Sequence, residues 1–152
     1  MRVEAPAGVE IRLYPDLDTF RNITAEPGWV AARTDGRRVH LQPPAVLRSH
    51  GALESTVRHE MLHVVVESQA AAALPVWFRE GLVEYLAGGG KHAAGAEFDQ
   101  TDRGMRQRGS PAEARHAYEQ AAGRVAGLVA RYGEAAVVGW VRSGLPAEAK
   151  GK

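Results

Sequence analysis

Apolar and polar residues alternate over residues 9 to 14 (Val-Glu-Ile-Arg-Leu-Tyr) and stop at Pro15, which predicts a half-buried strand. Asp16 then offers an N-cap for a short helix through about Ile23. Trp29 to Thr34 and Arg37 to Leu41 are β-rich runs joined by Asp35-Gly36 and closed by Pro43-Pro44, the signature of a hairpin. From about Leu53 to Ala72 there is no Gly or Pro. Leu53, Val57, Met61, Val64 and Val65 recur there at helical spacing, and Leu62 and Val66 widen the apolar surface to that of a helix buried on most sides. Pro75 precedes a second helix, Val76 to Ala87, stopped by Gly88-Gly89-Gly90. The polar, glycine-spotted stretch that follows predicts a surface loop or short helix. Ser110-Pro111-x-Glu113 supplies an N-cap, a proline at the first helical position and a first-turn acid, starting a helix to about Tyr132. Gly133 separates it from a last helix over Glu134 to Arg142, and Pro146 to Lys152 reads as a frayed tail.

These elements predict an α+β chain forming one domain over 1–152. A small twisted sheet part (9–42) packs on the first long helix, followed by the rest of the helical part 52–87, C-terminal helices (110–142) and the tail (146–152). No internal repeat or long linker divides it. With 152 residues, 45% hydrophobic and 24% charged, the chain has the composition of one globular domain with its own core. A formal charge of +1 supplies no field to draw it onto nucleic acid, so no nucleic-acid partner is expected. The longest apolar stretches, Leu62 to Val66 and Ala70 to Val76, are too short to span a membrane, and no targeting segment is visible. Localisation stays open, because a domain excised from an exported precursor would look the same. The absence of cysteine removes disulfides, thiolate nucleophiles and sulfur-ligated metals, and leaves any metal to His and carboxylates.

The chemistry is concentrated in His59-Glu60-Met61-Leu62-His63, an H-E-x-x-H pattern inside the strongest predicted helix. Four residues are about 400° of helical rotation, so both imidazoles leave one face a turn apart, where two nitrogens can hold one Zn²⁺. Glu60, about 100° round from His59, can reach a water at the metal without ligating it, the position a general base needs. A catalytic zinc takes a third protein ligand. The next helix carries Trp77-Phe78-Arg79-Glu80-Gly81-Leu82-Val83-Glu84-Tyr85, with carboxylates at i and i+4: one can ligate and the other can accept the free N–H of a ligating imidazole. Sixteen residues separate His63 from Glu80, enough for the chain to reverse. Trp77, Phe78, Leu82 and Tyr85 read as core, and His40, His50 and His92 have no partner pattern.

His59-Glu60-x-x-His63 followed by Pro75-x-Trp77-Phe78-x-Glu80-Gly81-Leu82 resembles the gluzincin zinc metallopeptidases, in their peptidase MA-like or aminopeptidase-N-like branch. The resemblance spans about residues 57 to 133. It implies a zincin-like fold, zinc held by His59, His63 and Glu80 between the two helices, Glu60 as general base, and Glu84 orienting a ligating histidine. Ala117-Tyr118-Glu119, leading a long helix to Arg131-Tyr132-Gly133, is similar to the family's tyrosine-bearing segment and implies Tyr118 as the oxyanion donor. A peptide or protein substrate follows, aligned on an edge strand for which Arg37 to Gln42 is the candidate. No G-x-M-E-N-like segment is present, so action at a free N-terminus is not implied. Two other readings stand beside peptide-bond hydrolysis: a non-catalytic binding or regulatory module of a larger assembly, and a zinc hydrolase of cell-wall peptides.

Overall fold

The computed structural model describes residues 7–88 and 110–150. The chain divides into two compact units, Arg2–Ser68 and Gln69–Lys152. The architecture is α+β, with one small sheet and mostly helices among the described residues.

The first unit contains β1 (Glu10–Leu13), α1 (Leu17–Thr24), β2 (Ala32–Asp35), β3 (Arg38–Leu41), α2 (Pro44–Ser49) and all but the last residue of α3 (Leu53–Gln69). Asp16 caps α1 as its residue type predicts, its Oδ1 accepting from the Thr19 N–H at 2.7 Å. That bond holds the Asp16 carboxyl below the usual carboxylate range. The Asp35-Gly36 turn closes the hairpin, with Asp35 opposite Arg38 and Gly36 at φ 60°, a conformation that favours glycine.

The strand order is β1-β3-β2, with β1 parallel and β2 antiparallel to β3. This corrects one expectation. Arg37 to Gln42 contains the central strand, paired on both sides, and the edges are β1 and β2; the hairpin pattern did not reveal that β1 returns to pair with β3. Val39 and Leu41 point from β3 into a core with Leu47 of α2 and Val64 of α3, against which Leu53, Val57 and Ala32 also pack. His40, between them in sequence, points to the opposite face, where Tyr14 and Phe20 meet edge to face at 5.6 Å. Pro43-Pro44 does more than close the hairpin: Pro44 occupies the first turn of α2, where a missing N–H costs nothing.

The second unit contains α4 (Val76–Ala87), α5 (Pro111–Tyr132), α6 (Glu134–Ser143) and a 3₁₀ turn (Ala147–Ala149). Ser110 caps α5, accepting from the Glu113 N–H at 3.2 Å. Trp77, Phe78, Leu82, Val83 and Tyr85 are all buried, so α4 is core on most of its surface. The tail is not frayed over its described residues: Ala149 is buried, and Arg124 donates to the Lys150 carbonyl at 2.9 Å while its guanidinium lies 3.8 Å from the centre of the Trp77 ring. The loop or short helix expected after Gly90 lies outside the described residues. Among the described residues no helix is long and apolar enough to cross a membrane.

Candidate metal centre

His59, Glu60 and His63 lie in the middle of α3, whose Val57 and Val64 anchor it to the sheet. Both imidazoles are half-buried. Their Nε2 atoms approach to 3.1 Å, with ring centroids 4.8 Å apart and planes inclined by 65°. Two nitrogens bound tetrahedrally at the zinc–nitrogen distance stand about 3.3 Å apart. The pair therefore already has close to the spacing that a shared ion requires, and the donor type fits zinc.

Glu60 is buried, at 8% exposure. A carboxylate out of water needs a hydrogen-bond donor, and it has one: the Thr34 hydroxyl of β2 donates to Glu60 Oε2. Thr34 lies opposite Val39 and in phase with Ala32, on the α3-facing side of the sheet. The sequence reading missed this residue. Its in-phase position with Ala32 is the only local signal, and nothing local says that it meets a side chain 26 positions along.

The remaining candidates belong to the second unit. Glu80 and Glu84 are half-buried, one turn apart on α4, and the Oε2 of Glu80 is shielded from solvent. Gly81 has a reason of its own: a Cβ there would stand 2.5 Å from the Ala121 carbonyl oxygen of α5, so only glycine lets the two helices come this close. Tyr118, half-buried on α5, lies one turn before Ala121 and Ala122 and one turn after Ala114, all buried.

The other described histidines stand apart from this chemistry. His40 is buried with the Tyr14 hydroxyl 2.6 Å from its Nδ1 and the two rings stacked. Burial, and then the positive charges of Arg12, Arg38 and Arg33, push its pKa below the ordinary histidine value, against a smaller opposing effect of Asp35. His50 and His116 are exposed.

No family model matches this chain, and no curated protein or solved structure matches it.

Proposed function

We propose that this protein is a zinc-dependent metallopeptidase with a minimal gluzincin-like catalytic domain, acting on peptide or protein substrates. The observation that carries the reading is the 3.1 Å approach of two Nε2 atoms beside a buried glutamate on the same helix. Three polar groups set among Val57, Val64 and Val66 are costly to maintain unless they have a task. By the resemblance, His59, His63 and Glu80 would be the donor set, two nitrogens and one oxygen suited to a single zinc ion. Glu84 would orient a ligating imidazole. When bound, zinc supplies Lewis-acid polarisation of the scissile carbonyl and of the attacking water.

The chain's own residues do the rest. Glu60 takes a proton from water as the water oxygen bonds to the carbonyl carbon, and gives that proton to the amine nitrogen as the C–N bond breaks. Tyr118 donates its hydroxyl hydrogen bond to the oxyanion that develops on the former carbonyl oxygen.

Metal content is the first test. Extensively dialysed protein is expected to hold about one zinc per chain, and His59→Ala to hold none. The wild type is expected to cleave a quenched random-peptide mixture, and a chelator to abolish that cleavage. Folded protein that takes up no zinc when zinc is supplied would overturn the proposal, as would zinc-loaded protein that cleaves no peptide.

A further inference from the structure

We infer that Thr34 is a positioning residue for Glu60: from the edge strand β2, its hydroxyl fixes the carboxylate that serves as the base. The inference rests on the reading of Glu60 as general base and adds to it a residue on a different element. A glutamate has three rotatable bonds, and a base that swings among rotamers spends little time aimed at its proton. Thr34 removes that freedom at the carboxylate end. Its donated bond uses Glu60 Oε2 alone, which leaves Oε1 to receive the proton.

The donor is itself well held. Threonine is β-branched, so its χ1 is stiff and the hydroxyl has a defined direction. The strand beneath it is paired with β3 through Ala32 opposite Leu41 and Thr34 opposite Val39, and Ala32 is packed against the core that also contains Val64 of α3. Strand and helix therefore share one core within a single unit, and the hydroxyl-to-carboxylate bond spans them at their polar margin. Valine, nearly the same size, would present a methyl group to a buried carboxylate. Serine would keep the donor but lose the stiffness.

The experiment uses Thr34→Val and Thr34→Ser in the full chain, loaded with zinc, with peptide-cleavage kinetics and thermal midpoints measured side by side. Thr34→Val is expected to bind zinc as the wild type does and to lose about tenfold in kcat with KM within about twofold, and Thr34→Ser to recover most of the loss. A hydroxyl needed only for folding would lower the thermal midpoint and leave kcat alone, which would overturn the inference. The second readout needs no activity: Thr34→Val should lower the thermal midpoint in the wild-type background and much less in a Glu60→Ala background. Equal losses in both backgrounds would show that the hydroxyl does not act through Glu60. A zinc-loaded wild type that cleaves nothing would refute the peptidase reading separately, and the paired midpoints would still decide whether Thr34 holds Glu60.

Discussion

Both units have an apolar core, and they differ in the polar side chains buried with it. Among the described residues, every buried polar or charged side chain, Thr24, His40, Gln42 and Glu60, lies in the first unit, and each has a directed partner. Thr24 donates to the Phe20 carbonyl, His40 meets the Tyr14 hydroxyl, Gln42 donates to the carbonyls of Gly28 and Val30, and Glu60 accepts from Thr34. The second unit is closed by shape instead. Phe78, Leu82, Val83, Val125 and Val137 are fully buried, and α4 meets α5 where Gly81 admits the Ala121 backbone. A polar interior is tolerated where each group keeps a hydrogen bond, and it can then carry chemistry. An apolar interior gives stability but permits no change of volume.

Substitutions of the first unit's buried polar groups are expected to remove function and spare the fold, whereas those at the apolar contact of α4 with α5 in the second are expected to weaken the fold. The largest effect is expected from Glu60→Gln, which keeps the size and one acceptor but cannot take the proton. Turnover should fall by about 10³-fold with zinc content and thermal midpoint near wild type, as peptide-cleavage kinetics and metal analysis will show. Full activity in this variant would remove Glu60 from the mechanism, and an unfolded variant would break the contrast between the units.

Next comes Gly81→Ala, a single methyl group driven against backbone. It should destabilise the protein by about 3 kcal/mol in urea unfolding, because a carbonyl fixed in α5 cannot move aside as a side-chain tip can. A neutral result would mean that α4 and α5 yield more readily than the close approach implies.

The smallest effect is a pH dependence of the first unit. The pKa of His40 is lowered in the folded state, so between the ordinary histidine value and that lower one the unfolded chain binds a proton that the folded chain refuses. Stability should therefore fall as the pH drops from about 6.5, with no such loss above it. Urea midpoints at pH 7.5 and 5.5 should differ more in the wild type than in His40→Gln. An equal difference would place the acid sensitivity elsewhere.

Much of the local structure was legible in residues close together in the chain. Asp16 and Ser110 cap their helices, Asp35-Gly36 turns the hairpin, and α4 runs from Val76 to Ala87 as its bounding Pro75 and Gly88 indicate. The pairing of His59 with His63 was equally legible, because one turn of helix brings i and i+4 together whatever surrounds it. The short helix α2 was hidden because a proline pair stops one element as readily as it starts the next. The 3₁₀ turn at the C-terminal end was hidden because Arg124, which ties it down, lies 26 residues earlier.

Caps, turns and the repeat of apolar positions act over a few residues, so the sequence by itself determined the longer helices, the hairpin and the spacing of the H-E-x-x-H side chains. Tertiary structure alone decided that β3 is central, that Gly81 meets Ala121, and that Thr34 holds Glu60. Each of these joins residues far apart in the chain, and each depends on how strands register and helices approach once a shared core has formed. Long-range register of that kind leaves no period in the sequence, because it is set by the sum of many weak apolar contacts.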